Sequence, residues 1–372
     1  MHGSLFTWRI EEVDGVGIKP ALALANDGTP HVAYMFENDV GGWVKYAQPE
    51  ATSPGRWNIS TVAEGYVYGP QDIDLTPSET PVIVYHDHQD TGVVLLELGE
   101  VIYASQDEDQ TWRLNPLDDP GHDGWDSRLV IGDDGVGYVV AVDPKQFFGS
   151  GIEFYRVEPD GSYVVEQIGS GPQDYKYAVD IALDSLETPY ITYYDQTEND
   201  LALAVRKDVG WEITSVDTEG DTGLFSSLLI DSTDRIHISF LRREGESSGA
   251  VMYATRGKND SEWTFSKVDD LENLFLSGAS WGARNVTSLA LGPDGNPIIA
   301  YGDQARVSVA AWNGTAWQSD TIDTSKDLRN QPLGHLVSLK TDRAGRPHLV
   351  WWALTSIIPT KGIIKYAVGT PS

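Results

Sequence analysis

Short runs of hydrophobic residues recur along this chain, and turn-forming residues separate them at regular intervals. One unit reads SLALGPDGNPIIAYGD and continues, three residues later, with VSVAAWNGTAWQSDTID. Each run has the length and composition of a strand, and the Asp, Gly, Asn and Pro between runs favour tight hairpins. The pattern therefore predicts four antiparallel strands in each unit of about fifty residues.

This unit occurs seven times. The fourth residue of the second strand is aromatic in all units but one, which indicates packing between neighbouring sheets: Tyr34, Tyr85, Ala141, Tyr193, Phe240, Tyr301 and Trp351. An aromatic residue also opens each fourth strand: Trp57, Trp112, Tyr163, Trp211, Trp263, Trp317 and Trp8. A histidine recurs just after the hairpin turn in three units: His31, His237 and His348. We assign these repeated residues to the fold.

The phase of the repeat continues from one end of the sequence to the other. The seventh unit ends with its third strand, IIKYAV, and SLFTWRIEEVDG near the N-terminus supplies a fourth. We therefore predict a single-domain, all-β, seven-bladed β-propeller of four-stranded antiparallel blades, whose ring the N-terminal strand closes. The predicted blades are 16–65, 66–121, 122–171, 172–220, 221–274, 275–328, and 329–372 together with 1–15.

Composition narrows the classes of partner. The chain has 56 acidic and 26 basic residues, a net charge of −30 and no cysteine. This charge argues against nucleic acid and against an anionic membrane surface as partners. The absence of cysteine excludes disulfides and thiolate chemistry. No secretory signal is visible at the N-terminus, and we expect a monomer.

One segment, ASQDEDQTW, resembles the Asp-box motif, Ser-x-Asp-x-Gly-x-Thr-Trp, of sialidases and related BNR-repeat propellers. The matching residues are Ser105, Asp107, Thr111 and Trp112, whereas Asp109 replaces the glycine. The resemblance implies a structural turn between the third and fourth strands, away from any active site. It also implies a secreted or periplasmic protein that binds or acts on glycans. The fuller sialidase signature, with an N-terminal arginine motif and six blades, is not evident.

In a propeller, the loop that enters the first strand and the loop that leaves the second emerge on the same face, where binding and catalysis are usually found. Four units carry an aspartate at the same position there: Asp87, Asp143, Asp195 and Asp303. These aspartates either cap turns or surround a central cation such as Ca²⁺, whose ligands are oxygens. No other cofactor is expected.

Residues that depart from the repeat are better candidates for function, because every blade needs the repeated ones. His86 and His88 flank the repeated aspartate Asp87. In the fifth unit, Arg242 and Arg243 replace the repeated aspartate. Other candidates on these loops and strand ends are Arg128, Lys145, Lys176, Arg284, His335 and Trp352. A basic funnel in an acidic protein favours an anionic saccharide, such as a uronate, sialate or sulfated sugar. The alternative is that exposed loops carry these charges by chance.

These residues could perform β-elimination on a uronate, as in a polysaccharide lyase. Arg243 would neutralise the substrate carboxylate, His86 or His88 would take the proton, and Tyr194 would protonate the leaving oxygen. Asp87 and Asp195 could instead serve a carboxylate-pair glycoside hydrolase. A non-catalytic lectin, adhesin or interaction propeller is the third interpretation. The uneven distribution of the candidates favours one central site over a site in every blade.

Overall fold

The computed structural model describes residues 4–371, apart from 39–40, 66, 90–97, 118–125, 144–150, 170–178, 273–285, 304–305, 325–335 and 358–359. Within this part of the chain there are 28 strands and no helix. The strands form seven separate antiparallel sheets of four, and each sheet packs against its two neighbours. The predicted seven-bladed β-propeller is therefore confirmed.

The first four blades follow the order of the chain. Blade 1 consists of β2 (Ile18–Leu24), β3 (Pro30–Asn38), β4 (Gly41–Pro49) and β5 (Trp57–Gly65). Blade 2 consists of β6 (Val67–Leu75), β7 (Pro81–Gln89), β8 (Leu98–Gln106) and β9 (Trp112–Pro116). Blade 3 consists of β10 (Ser127–Ile131), β11 (Gly137–Asp143), β12 (Gly151–Val157) and β13 (Tyr163–Ile168). Blade 4 consists of β14 (Asp180–Leu183), β15 (Pro189–Asp195), β16 (Asp200–Arg206) and β17 (Trp211–Asp217).

The last three blades complete the ring. Blade 5 consists of β18 (Asp221–Ile230), β19 (Ile236–Arg243), β20 (Gly249–Arg256) and β21 (Thr264–Leu271). Blade 6 consists of β22 (Thr287–Leu291), β23 (Pro297–Gly302), β24 (Arg306–Trp312) and β25 (Trp317–Thr324). Blade 7 consists of β26 (Val337–Thr341), β27 (Pro347–Ile357), β28 (Thr360–Pro371) and β1 (Phe6–Asp14).

The N-terminal strand closes the ring, as predicted. β1 pairs with β28 along its length, with Phe6 opposite Pro371 and Ile10 opposite Ala367. Just before β1, the backbone N–H of Leu5 donates a 2.6 Å hydrogen bond to Asp320 of blade 6. Strands from the two ends of the sequence therefore complete one sheet.

The hydrophobic core is divided among the interfaces between blades. One buried cluster lies at each of the seven described interfaces, including the closing interface between blades 7 and 1. The predicted second-strand aromatics lie in these clusters, and Tyr34, Tyr301 and Trp351 have no exposed surface. Three tryptophans that open fourth strands, Trp57, Trp112 and Trp317, pack edge-to-face on a tyrosine of the preceding blade. Trp112, for example, lies 5.5 Å from Tyr46 between ring centroids. These aromatics stabilise the ring.

A β-bulge near the end of the fourth strand directs an aspartate into the next blade. The bulge occurs in blades 1, 4, 5, 6 and 7 of the described structure. The next residue is an aspartate in all of these blades except blade 1: Asp14, Asp217, Asp269 and Asp323. Asp14 accepts a 2.6 Å hydrogen bond from Tyr34, and Asp323 accepts a 2.9 Å bond from the indole of Trp351. Bulges re-aim side chains, and this one joins neighbouring blades.

The innermost strands surround a central channel with a volume of ≈ 560 Å³. A side-chain oxygen at one repeated position accepts a hydrogen bond from the backbone of the next blade, at distances between 2.7 and 3.2 Å. The residues are Asp72, Asp180, Ser227, Ser288 and Ser338. Blades 1 and 3 carry Ala21 and Arg128 there, which cannot accept. In blades 2 and 4, which follow blades 1 and 3, the aspartate accepts a second hydrogen bond from within its own strand. Asp72 accepts from the backbone N–H of Ile73 and Asp180 from that of Ile181, both at 2.9 Å.

The Asp-box-like segment forms the turn between β8 and β9. One oxygen of Asp107 accepts hydrogen bonds from the backbone N–H groups of Asp109, at 3.1 Å, and Thr111, at 2.9 Å. The aspartate therefore fixes the turn between third and fourth strands. This segment contributes to the fold.

Candidate functional site

We define the loop face as the face of the ring on which first strands begin and second strands end. β15 ends there at Asp195, β18 begins there at Asp221, and β19 ends there at Arg243. Blades 4 and 5 therefore bring several of the predicted site residues to one place. This group, which we call the blade 4/5 cluster, consists of Tyr194, Asn199, Asp217, Asp221, Arg242 and Arg243.

Tyr194 and Arg243 meet at the carboxylate of Asp221. The phenol of Tyr194 lies within hydrogen-bond distance of Asp221 Oδ1, at 3.0 Å, and of Asn199 Oδ1, at 2.8 Å. The guanidinium of Arg243 pairs with the other carboxylate oxygen at 3.2 Å. About a third of the Arg243 and Asp221 side chains is exposed (31% and 28%). The pair is thus held from below by a buried phenol and remains accessible from above.

Arg242 has a different position. Its guanidinium donates to Asp217 at 2.7 Å and pairs with Glu219 at 3.0 Å. Asp217 is the aspartate that follows the bulge of blade 4, and it also accepts a 2.7 Å bond from Thr222. Arg242 therefore joins two blades, in addition to lying on the loop face.

The backbone of this cluster is specialised. Asn199, in the β15–β16 turn, has a φ of 63°. Its backbone N–H donates to Asp195 at 2.7 Å, and its carbonyl accepts from Thr222 at 3.1 Å. Gly223 has a φ of 96°, and a Cβ added there would lie 2.6 Å from the Cα of Leu201. Only glycine fits this close approach, which lets β18 reach the turn of blade 4.

The electrostatic character of the cluster is acidic. The two arginines pair with Asp217, Glu219 and Asp221. Three further carboxylates lie in the same region of blade 4: Asp195, Glu198 and Asp200. Burial raises the pKa of the Asp200 carboxyl, and the negative charges of Glu198 and Asp195 raise it further. A surface of this kind offers many hydrogen-bond acceptors and little net attraction for an anion.

His86, a predicted acid/base group, is completely buried in β7. A Cβ added at Gly99, on the neighbouring strand, would lie 2.0 Å from His86 Cε1. The imidazole therefore lies directly against the backbone of β8. Blade 3 separates it from the blade 4/5 cluster. His88 lies in the same strand, but only its backbone belongs to the described part of the structure.

Arg128 lies in β10 and lines the central channel. Its guanidinium donates to Asp126 at 3.1 Å and to the Ser127 carbonyl at 2.9 Å. Burial would lower the pKa of Arg128, but Asp126, Asp72 and Asp180 together hold this pKa above its usual value. The positive charge of Arg128 therefore balances the negative charges of buried carboxylates inside the ring, below the loop face.

Trp352 lies at the interface between blades 7 and 1, where it is 6% exposed. A Cβ added at Gly362 would lie 1.5 Å from its indole nitrogen, so this glycine makes room for the ring. Trp352 thus packs beneath the loop face in this structure. Four other predicted binding residues lie outside the described residues: Lys145, Lys176, Arg284 and His335.

Two of the repeated aspartates cap turns. Asp195 accepts a 2.9 Å hydrogen bond from the backbone of Thr197, and Asp303 accepts one of 2.9 Å from the backbone of Arg306. Asp87 is half-buried near the end of β7, and the side chain of Asp143 is not described. Within the described part of the chain, no group of three or more metal-ligating side chains is arranged around one point. The central cation stays a prediction.

Sequence analysis missed an aromatic pair on the loop face of blade 1. Phe36, at the end of β3, stacks on Trp43, at the start of β4, with 5.3 Å between ring centroids and 29° between planes. Phe36 occupies the position of the repeated aspartates, two residues after Tyr34, the repeated second-strand aromatic of blade 1. The departure from the repeat was visible in the sequence, but the partner strand that places Trp43 opposite it was not.

No protein-family model and no curated protein sequence matches the chain. Solved structures share its architecture. The Aleuria aurantia lectin in complex with α-methyl-L-fucoside is 12% identical, with 86% of this chain and 99% of that one covered and a TM-score of 0.51. The SapL1 lectin in complex with α-methyl fucoside is 14% identical, with 85% and 98% covered and a TM-score of 0.51. A protein of unknown function from Dyadobacter fermentans is 10% identical, with 98% and 99% covered and a TM-score of 0.50.

At these identities the likeness shows the propeller fold alone. No residue of the described chain lies in a helix long and apolar enough to cross a membrane.

Proposed function

We propose that this protein is a saccharide-binding propeller whose principal site is the blade 4/5 cluster. The observation that carries the proposal is the Asp221 carboxylate, which Tyr194 and Arg243 hold between them at the accessible surface. An ion pair with exposed atoms on both partners can accept from one sugar hydroxyl and donate to the next. Charged hydrogen bonds of this kind are stronger than neutral ones.

Rigidity supports this proposal. The phenol of Tyr194 is buried, and the glycine-dependent approach of β18 to Leu201 fixes the backbone beneath Asp221. Preorganised groups bind more tightly because less side-chain freedom is lost on binding. The two lectins of similar fold, each in complex with a methyl fucoside, are consistent with a saccharide ligand.

The ligand that fits the described cluster best is a neutral saccharide. Six carboxylates in and beside the cluster outnumber its two arginines, so a uronate or sulfated sugar would meet net repulsion. A preference for an anionic saccharide would depend on Lys145, Lys176, Arg284 and His335. These four residues lie outside the described part of the chain.

The test is a glycan array followed by titration calorimetry with the saccharides that bind. Arg243→Met and Asp221→Asn should each weaken binding by about tenfold or more, because each leaves the other partner poorly compensated. Lys207→Met is the matched control, since it removes an exposed ion pair with Glu212 on another surface. Unchanged affinity in both cluster variants, or no saccharide bound by the natural chain, would refute the proposal.

A polysaccharide lyase is the second candidate, because Tyr194 and Arg243, the proposed proton donor and carboxylate-neutralising group, meet at Asp221. In this mechanism a base removes the proton next to the uronate carboxylate, and Tyr194 donates a proton to the leaving oxygen. The test is the ultraviolet absorbance of unsaturated products from uronate-containing polysaccharides. Absorbance that Tyr194→Phe abolishes would favour the lyase, whereas binding without cleavage would favour the lectin.

A further inference from the structure

The aromatic pair of blade 1 belongs to a row of side chains that crosses the sheet. Phe36 of β3 is directly opposite Trp43 of β4, and Trp43 is directly opposite Glu64 of β5. The indole N–H of Trp43 donates to Glu64 Oε2 at 3.2 Å. The bulge of blade 1 lies two residues before Glu64, at Val62 of β5. Three neighbouring strands therefore fix the orientation of one indole ring.

The row is accessible. Phe36 and Trp43 are half-buried, while Glu64 and the neighbouring Glu37 are exposed. Both aromatic rings therefore keep part of their apolar surface in contact with solvent, beside two exposed carboxylates. Unlike the repeated second-strand aromatics, these two rings do not lie in the buried clusters between blades.

Comparison of the blades shows that the row is specific to blade 1. The position of Phe36 is occupied in the other six blades by Asp87, Asp143, Asp195, Arg242, Asp303 and Ala353. The residues opposite it in blades 2 to 5 are Glu100, Gly151, Asp200 and Ala250. A feature that one blade has and the repeat lacks is not needed to build a blade. It is therefore a candidate for ligand binding.

We infer that Phe36, Trp43 and Glu64 form a second saccharide subsite, which takes the apolar face of an uncharged pyranose ring. This inference rests on the proposed saccharide-binding function. Sugar C–H groups would pack on the indole, whose large apolar surface and few rotatable bonds suit recognition. Glu64, on the same face of the sheet, would accept hydrogen bonds from hydroxyl groups at the edge of the ring.

The geometry selects among ligand classes. Rings 5.3 Å apart and 29° from parallel leave no gap between them for an alkylammonium ion, whereas aromatic cages enclose such cations. Glu64 disfavours uronates and sulfated sugars, because a second negative charge would approach its carboxylate closely. A neutral ring that covers one flat surface is the ligand that remains.

The experiment measures binding of methyl α-L-fucoside, methyl β-D-galactoside and glucuronate to the whole chain by saturation-transfer NMR and calorimetry. Trp43→Ala should weaken binding of a neutral glycoside by about tenfold, the effect expected when a Trp anchor is removed. Trp312→Ala is the matched control, because Trp312 is also half-buried but lies at the opposite end of its sheet, against Trp317. This control should bind as the natural chain does.

A second variant guards against misfolding of Trp43→Ala. Glu64→Leu changes an exposed residue, removes the acceptor that orients the indole, and should also weaken binding. Equal affinity of the natural chain, Trp43→Ala and Glu64→Leu would overturn the subsite. Binding of tetramethylammonium in place of the neutral glycosides would overturn it as well.

The outcomes separate this inference from the proposed function. If Arg243→Met loses binding while Trp43→Ala keeps it, the blade 4/5 site stands and the blade 1 subsite fails. If Trp43→Ala loses binding and Arg243→Met keeps it, the subsite stands and the principal site is misplaced. If the natural chain binds none of the saccharides on the array, both proposals fail.

Discussion

Arg242 of blade 5 donates a 2.7 Å hydrogen bond to Asp217 of blade 4, in the place where other blades use an aromatic side chain. At the equivalent interfaces, Tyr34, Tyr301 and Trp351 donate to the aspartate that follows the bulge. Blade 5 has Phe240 at that position, which has no polar hydrogen to donate. Arg242, two residues further along the same strand, takes over the contact.

We expect Arg242→Met to lower the free energy of unfolding by about 2 kcal/mol, because it removes a charged partner from a buried carboxylate. The Asp217 side chain is only 6% exposed. Chemical denaturation measures the change, with Lys207→Met as the control for an exposed pair, expected within about 0.5 kcal/mol of the natural chain. Adding Phe240→Tyr to Arg242→Met should recover part of the loss. Equal effects of Arg242→Met and Lys207→Met would contradict this account.

Asp180 should make stability depend on pH. Burial along the channel raises its pKa from 3.8 to about 6, although the Arg128 charge opposes the rise. Between these values the folded state keeps a proton that the unfolded state releases. Its contribution to the free energy of unfolding is therefore complete below pH 3.8 and is lost as the pH rises through about 6.

Asp180→Asn tests this dependence, because the amide does not ionise. The substitution should lower the free energy of unfolding less at a pH well above 6 than at a pH near 4. Urea denaturation at both pH values measures this difference. Asp133→Asn, on an exposed turn, serves as the control. A cost that is the same at both pH values would show that Asp180 ionises normally in the folded protein.

His348 should have the opposite effect on pH dependence. Its Nδ1 lies 2.5 Å from the Tyr366 hydroxyl, and its Nε2 lies 3.3 Å from Asp342. The carboxylate requires a proton on Nε2, so Nδ1 of the neutral ring accepts from the tyrosine. Burial lowers the pKa of His348 below 6.5, although Asp342 opposes the shift.

The contribution of this histidine is complete above pH 6.5 and is lost as the pH falls through its lower folded pKa. His348→Gln should flatten the acid side of the stability profile, and NMR titration of the imidazole should give a pKa below 6.5. His237, which makes the same contacts with Tyr253 and Asp231, should behave alike. A folded-state imidazole pKa above 6.5 would contradict this prediction, because stability would then rise as the pH falls.

Glu187 occupies a turn position that glycine fills in several other blades. Its φ is 58°, and its carboxylate accepts a 2.6 Å hydrogen bond from the backbone N–H of Asp133 in blade 3. Glu187→Ala should lower the free energy of unfolding by about 1–2 kcal/mol, since it loses the bond and keeps the left-handed backbone. Glu187→Gly should cost about 1 kcal/mol less, because glycine adopts this backbone without strain. Thermal unfolding of the pair measures the difference, and a glycine variant less stable than the alanine variant would disprove it.

The repeat predicts the blades well because each strand and turn depends on neighbours within one unit. The tryptophans that open fourth strands and the second-strand aromatics could be assigned to the fold for this reason. The contacts that decide the site cross between blades. Arg242 resembles a free cation until Asp217, 25 residues earlier, is placed beside it.

Burial was the other property that the sequence pattern could not supply. His86 lies on a strand end that leads to the loop face, yet its ring is covered by Gly99 of the neighbouring strand. The imidazole fits against β8 only because Gly99 has no side chain, and the sequence around His86 does not show this. Phe36 and Trp43 show the opposite case. Their rings look like ordinary strand residues in the sequence, yet they are only half-buried and stack where other blades have polar or small residues.

The pairing of β1 with β28 also sets an order of events during synthesis. Phe6–Asp14 leaves the ribosome before the other described strands and Thr360–Pro371 after them, yet the two strands share one sheet. Until they meet, Phe6 and Val13, which the finished ring buries, remain exposed to water and to other nascent chains. Six blades can form by local pairing, whereas the seventh waits until β28 has been synthesised, so the seam of the ring is the place where chaperones have the longest time to act.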